Sequence, residues 1–480
     1  MGMIEENDKM LFWQIEHNGS WSWEISDIAE EIYLKLSGPS EQENGWWKEL
    51  KPDETFVSVN TAISVVSGDF SDAVAEMTKY RRKIAYRSPK DMYLPVVFND
   101  YMGCLWAGPT TEKELPVIDD AAEIGAEIYC MDAGWYADGT WWETVGEWQV
   151  CEKRFRDGMK EIFDYIHSKG MISGIWLEPE VIGIKCPILD QFDDDCFFMR
   201  HGKRVIDHGR YHLDFRNKKV TDFLDGVVDR LVSEYGVGYF KFDYNIDGGV
   251  GTEVNADSFG DGLMQHNKEF LAWIDRIYDR YPDLIIESCA SGGMRMDYKT
   301  LSHFSLQSLS DAECYRDIIP IAAMSQTAVI PEQAAVWSIP RKEDTFGEIV
   351  INIVNAMFRR IHLSGEIPWL DAERLDIVKD GVKLYKETRN AIQTMTTFYP
   401  MGICDFNSDC VVCGFTNDVD TYLCVVRRAG EGEINIPLDA KYTSAEIIYP
   451  AKSDFKCSIE SGYLSFIMPE KSGAIFKISE

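Results

Sequence analysis

Several things are missing from this 480-residue sequence, and each absence narrows the reading. No run approaches the roughly 18 uninterrupted apolar residues of a membrane-spanning helix, so none is expected. The opening stretch, MGMIEENDKMLFWQIEHNGS, has neither a basic segment nor an apolar core, so no secretory leader is expected. Gly2 follows Met1, but Glu6 stands where a myristoylation signal requires Ser or Thr. Basic residues are scarce, 48 against 80 acidic, for a formal net charge of −32. Such a field repels nucleic acid and anionic membrane and disfavours polyanionic substrates. There is no phosphate loop, no H-E-x-x-H, no G-x-S-x-G elbow and no G-x-G-x-x-G after the first strand of the α/β region. Disulfide spacing is also missing. The 12 Cys are scattered, which fits reduced thiols and a cytoplasmic location. Cys410-Val-Val-Cys413, with Cys404 nearby, has no second Cys pair or His pair and reads as part of an apolar strand, with zinc or redox chemistry as the alternative. His208 and His212 stand four apart, but beside a strand rather than on a helix, so no metal is expected there.

What is present reads as a soluble globular chain: 45% apolar, 27% charged, with 14 Trp, 22 Tyr and 24 Phe, which suit either sugar stacking or a large core. The first 67 residues alternate as β-strands, with Asn18-Gly19 predicting a hairpin between 11–16 and 21–25. A further strand run covers 55–66, and a helix is expected over 71–86, with Val74, Met77 and Ile84 near one face. From about residue 93 strands and helices alternate. Short apolar strands stand at 95–98, 127–131, 171–177, 212–215, 238–242, 284–288 and 304–309, with an eighth near 327–330. Amphipathic helices are expected over 157–169, 220–235 and 266–280. Eight such units predict a (β/α)8 barrel; a doubly wound open sheet is the alternative, weakened by the missing dinucleotide fingerprint. Beyond residue 398 helical periodicity gives way to short strands, predicting a C-terminal antiparallel β-sandwich. The expected boundaries are 1–88, a short N-terminal β region with its linking helix; 89–397, the barrel; and 398–480, the sandwich.

Barrel enzymes place their chemistry at the C-terminal strand ends. Here those ends read Asp132-Ala133-Gly134-Trp135, Trp176-Leu177-Glu178-Pro179-Glu180, Arg210 with Asp214, Lys241-Phe242-Asp243-Tyr244-Asn245, Glu287 to Gly293, and Ser310-Asp311. Lys241, Asp243 and Asn245 alternate, so they share one side while Phe242 and Tyr244 take the other. Three polar groups facing a barrel mouth are costly unless they serve a ligand; a structural ion pair is the competing explanation. With the other chemistries disfavoured, two carboxylates across a cleft point to glycoside hydrolysis.

At these residues the sequence resembles glycoside hydrolase family 36, the α-galactosidase (melibiase) group of clan D. The family's K-W-D-M-N strand corresponds to Lys241-Phe242-Asp243-Tyr244-Asn245, its C-S-x-G-G-G stretch to Cys289-Ala290-Ser291-Gly292-Gly293, its G-x-W-x-E-P-E to residues 174–180, and its S-D site to Ser310-Asp311. The similarity runs from about residue 45 to the end and is strongest over 93–340. It implies a retaining double displacement on a small oligosaccharide or glycoside, with Asp243 as nucleophile and Asp311 as general acid/base, and no cofactor. It maps Asp132, Trp176, Arg210, Lys241, Asn245, Cys289 and Gly292 onto sugar-binding positions. Trp135 and the pair Trp141-Trp142 are candidates for stacking on sugar faces, with core packing as the alternative.

The sequence departs from the family in four places. Ala133 replaces the second acid of the usual D-D-G-W, which grips hydroxyls around C4 and C6, so an N-acetylgalactosaminide, a galactosaminide or another modified galactoside is an alternative glycone, and transglycosylation an alternative outcome. After Asp311 the chain reads Ala312-Glu313-Cys314-Tyr315-Arg316 rather than the usual S-D-[DN]-T-D. The spacing of Arg210 to Asp214 differs slightly from the pattern. The N-terminal β region is far shorter than the family's large sandwich, which leaves a homo-oligomer open. A carbohydrate-binding barrel without turnover is the non-enzyme alternative.

Overall fold

In a computed structural model, which describes residues 1–453 and 455–480, eight parallel strands close on themselves. They are β1 (Val97–Asn99), β2 (Ile128–Met131), β3 (Ile172–Leu177), β4 (Tyr239–Phe242), β5 (Ile285–Ser288), β6 (Leu306–Ser308), β7 (Ala334–Ser338) and β8 (Arg360–Leu363). Helices cover the outside, including Met159–Ser168, Lys218–Tyr235 and Phe259–Arg280. Strands buried on both faces read as continuous apolar runs, which is why most were legible. Inside the barrel Val97, Ile128, Cys130, Tyr239, Ile285, Leu306 and Ala335 pack together. Gly174 makes room for them: a Cβ there would stand 2.9 Å from Tyr239 Cδ1 and 3.2 Å from Cys130 Cα. One level higher, Lys241 lies opposite Trp176 on β3 and Glu287 on β5.

Two of the eight expected strands are not barrel strands. The 212–215 run belongs to an excursion after β3, in which Arg210–His212 pairs antiparallel with Val181–Gly183 and Ile206–Asp207. The 327–330 run follows a single turn at Ser325–Thr327 instead of forming a strand. Their places are taken by β7 and β8. Sequence AAVWS has one β-branched residue, and RIHL interleaves two polar residues that the barrel buries. Arg360 is fully enclosed and pairs with Asp91 at 2.7 Å, so its charge reads as surface while its position is core.

The N-terminal strands also differ from expectation. Lys9–Glu16 pairs with Gly2–Glu6 and Asn60–Ser67. The hairpin is instead Ser22–Ile28 with Glu31–Ser37, turning at Ala29 and Glu30, both at positive φ. Asn18-Gly19 marks a close approach to a barrel helix: Asn18 Nδ2 donates to the Asn267 carbonyl at 3.2 Å, and a Cβ on Gly19 would stand 2.6 Å from Asn267 Nδ2. Helix Phe70–Ile84, opened by a capping box between Asp69 and Asp72, buries Val74 and Met77 and links this sheet to the barrel. After helix Ala372–Ile392, a five-stranded and a three-stranded antiparallel sheet enclose a core that includes Val425, Ile436, Leu464 and Phe476. Cys410 and Cys413 lie on one strand, Cys410–Thr416, where an offset of three points them to opposite faces. Among the described residues no helix is long and apolar enough to cross a membrane.

Candidate active site

Strand β4 sets the centre of the site. Phe242 faces outward and stacks on Trp273, so Lys241 and Asp243 face the barrel mouth, 3% and 7% exposed. Asp243 accepts four hydrogen bonds. Asn245 Nδ2 and Trp176 Nε1 donate to Oδ2 at 2.9 and 3.1 Å, and the Tyr244 and Ser291 amides donate to Oδ1 at 2.8 and 3.3 Å. Burial alone would raise its pKa; the Lys241 charge and the donors from Asn245, Trp176 and Tyr244 outweigh it and hold Asp243 below the ordinary aspartate range.

Lys241 Nζ bonds Asp132 Oδ2 at 2.8 Å, and Asn99 Nδ2 reaches the same oxygen at 2.7 Å. Behind this pair the Asp132 amide donates to Asp100 Oδ1 at 2.7 Å, and the Ala133 amide donates to Asp132 Oδ1 at 2.8 Å. Asp100 is hydrogen-bonded to Glu114, which accepts from Tyr129 at 2.5 Å. Burial, then the Glu114 charge, pushes the Asp100 pKa well up. Neither Asp100 nor Tyr101 stood out in the sequence, although Asn99-Asp100-Tyr101 is a polar strand end like the others. The Tyr101 phenol feels the charges of Asp132, Lys241, Asp311 and Asp243, and its ring meets Trp106 and Trp141 edge to face.

Asp311 follows β6. Burial pushes its pKa up to about 6, with Lys241 opposing and the Asp243 and Asp132 charges adding to the rise. Its Oδ1 is buried without a partner among the described residues. The loop after β5 braces it: Gly292 bridges to Ser310, and at φ +80 a Cβ on Gly292 would stand 2.6 Å from the Asp311 amide nitrogen. Gly292 therefore permits a close approach of two main chains, and Ser291, one residue earlier, donates to Asp243.

Arg210 reaches the site from the excursion rather than from a barrel strand. It bonds Glu178 at 2.7 Å, stacks 3.4 Å over the Trp142 ring, and leaves Nη2 without a partner among the described residues. Glu178 in turn accepts the Asn245 amide at 2.8 Å. Trp135 is fully enclosed: its Nε1 donates to the Trp176 carbonyl at 3.0 Å and its ring packs against Tyr136 and Trp148, so it props Trp176 from beneath. Trp141 stands edge-on to Trp176. Cys289 is buried, and burial, then the Asp243 charge, raises its thiol well above the usual range. Glu180, His212 and His266 are close enough to hold a metal ion. Their atoms are already engaged: Glu180 with Arg295 at 2.6 Å and His266 at 3.0 Å, His266 Nδ1 with the Phe215 amide, and His212 with Tyr244 and the Leu213 carbonyl. Arg295 also lies 3.9 Å over the Tyr244 ring, so this network braces the segment that follows Asp243.

Comparison with known proteins agrees with this fold. The melibiase family model matches residues 60–394. The α-galactosidase Mel36A of Lactobacillus acidophilus is 25% identical over 264 residues, 52% of this chain and 35% of its own length. An Escherichia coli α-galactosidase is 25% identical over 325 residues, 66% of this chain and 44% of its own length, so the chain spans less than half of these relatives. The crystal structure of the family 36 α-galactosidase AgaA from Geobacillus stearothermophilus superposes with a TM-score of 0.82 at 16% identity, covering 98% of this chain and 67% of that one. Variants of AgaA have been solved in complex with stachyose and raffinose. A family match over residues 60–394, most of the chain, joined to this barrel, makes the chain a member of the melibiase family, glycoside hydrolase family 36.

Proposed function

We propose that this chain is a retaining exo-α-galactosidase acting on small oligosaccharides such as raffinose and stachyose. The observation that carries the reading is the divergence of two carboxyls that feel each other's charge. Asp243, with four donors and Lys241, is kept ionised; Asp311, buried and unpartnered at Oδ1, keeps its proton to about pH 6. Such a pair separates the roles of nucleophile and acid.

In this mechanism Asp243 attacks the anomeric carbon while Asp311 protonates the departing glycosidic oxygen. Asp311, now a carboxylate, then takes a proton from water, which displaces Asp243 and restores the configuration. Lys241 and Asp132 grip sugar hydroxyls as one ion pair. The free Nη2 of Arg210 and the Trp176 and Tyr101 rings complete the wall around the sugar. Twelve unpaired thiols support a reducing, cytoplasmic setting. The methyl of Ala133, where the family has an acid, favours a second reading in which the glycone is an amino or N-acetylated galactose.

A panel of aryl α-glycosides tests both. Cleavage of the α-galactoside is expected; an inert α-galactoside beside a cleaved α-N-acetylgalactosaminide or α-galactosaminide selects the second reading, and no cleavage at all selects a binding barrel. Azide is expected to rescue Asp243→Gly with the β-glycosyl azide and Asp311→Gly with retention. The reverse pattern exchanges the two roles.

A further inference from the structure

Beside the active site lies a cavity of about 360 Å3, between the N-terminal strands and the loop that leaves β5. One wall carries Trp21 and Trp23, 41% and 45% exposed, and the facing wall carries Met294, 64% exposed. Trp23 is fixed edge-on against buried Trp13, with ring centres 5.5 Å apart. Three polar atoms in these walls have no partner among the described residues: Trp13 Nε1, His17 Nε2 and Arg295 Nε. Buried polar atoms are nearly always paired, so these three mark walls whose polar groups are not satisfied within the protein.

The charges of the walls are spent within the protein. Arg295 bonds Glu180, Arg81 bonds Gln14 and the carbonyls of Gln326 and Thr327, and Asp297 accepts from the amide and hydroxyl of Thr300. Apart from Met1, whose amino group also lines the cavity, the wall cations are paired within the protein, and with a net charge of −32 on the chain an anion is disfavoured. Exposed indole faces beside scattered single donors and acceptors suit an uncharged molecule with an apolar ring face and many hydroxyls.

We propose that this cavity is a second, non-catalytic binding site for a neutral oligosaccharide, stacked on Trp21 and Trp23 and covered from the facing wall by Met294. The loop that closes it also gives the Ser291 amide to Asp243, so the two sites share one backbone segment without merging.

The test uses the full chain carrying Asp243→Asn, with raffinose as the probe and calorimetry for stoichiometry. Two molecules per chain are expected. One is lost when Trp21→Ala and Trp23→Ala are added, and one is lost equally with Met294→Glu, which charges the opposite wall without touching the hairpin. With Asp243 intact, both sets of substitutions keep aryl α-galactoside hydrolysis within twofold. A single site in the Asp243→Asn chain that survives both sets, two sites that survive both, or no binding at all overturns the proposal; wall atoms satisfied by water alone give the first of these results. If the chain is not an α-galactosidase, the count goes from one to none, which separates the two failures.

Discussion

Trp176→Phe isolates one donor to Asp243. The indole Nε1–H lies 3.1 Å from Asp243 Oδ2, and both groups are buried. The Trp135 bond goes to the Trp176 main-chain carbonyl, so it survives the change. Phe also keeps an aromatic ring between Trp141 and Trp148. What is lost is a hydrogen bond to a carboxylate, about 1.5–3 kcal/mol. At 1.36 kcal/mol per unit, that raises the Asp243 pKa by about 1–2 units. The acid limb of kcat/KM, which reports the free enzyme, moves up by the same amount. The alkaline limb, set by Asp311 at about 6, stays, so the active window narrows from one side, while its maximum falls by no more than about threefold because the two limbs do not cross. The measurement is a kcat/KM profile between pH 3 and 8 with an aryl α-galactoside. An unmoved acid limb would refute the idea that donors to Asp243 keep it ionised, and movement of both limbs together would mean that the groups titrate as one unit rather than in separate roles.

Two further predictions concern the supports of the site. Gly292→Ala forces a Cβ against the Asp311 main chain at a positive φ; oligosaccharide turnover is expected to fall at least tenfold, with a lowered thermal melting point, and full activity in a folded variant would show that the loop does not place Asp311. Burial raises Glu287 from 4.5 to about 7 despite Lys241 and the Tyr239 hydroxyl, so the folded chain holds a proton that the unfolded chain releases. Its contribution to stability is complete below about pH 4.5 and is lost as pH rises through 7, on the order of 3 kcal/mol. Urea unfolding of the native chain relative to Glu287→Gln is expected to show that decline, and a flat or rising difference would mean that Glu287 is ionised against Lys241.

The sequence made some of this legible and hid the rest for identifiable reasons. Strand β4 was readable because its side chains alternate, and the alternation set Lys241, Asp243 and Asn245 to one side. Strands β7 and β8 were hidden because a closed barrel buries polar residues such as Arg360 and His362, which a composition rule assigns to the surface. The run at 212–215, just after Arg210, reads as a barrel strand because an antiparallel excursion and a barrel strand carry the same short apolar signal; Arg210 itself is marked as sugar-binding only by the family resemblance. The Asp100–Glu114 pair could not be read at all: nothing local reveals that a helix residue and a strand-end residue are buried against each other. Trp135 illustrates the converse, a Trp in a site motif whose ring packs underneath.

The backbone between Cys289 and Gly293 has one further consequence. It touches Asp243 through the Ser291 amide and bridges at Gly292 to Ser310, the residue before Asp311, so the gap between the two carboxyls is gauged by main chain. In glycosidases that gap decides whether the anomeric configuration is kept or inverted. In the retaining mechanism proposed above, the length of this spacer therefore bears on stereochemistry as well as on rate, because it helps to set how far apart the two carboxyls stand.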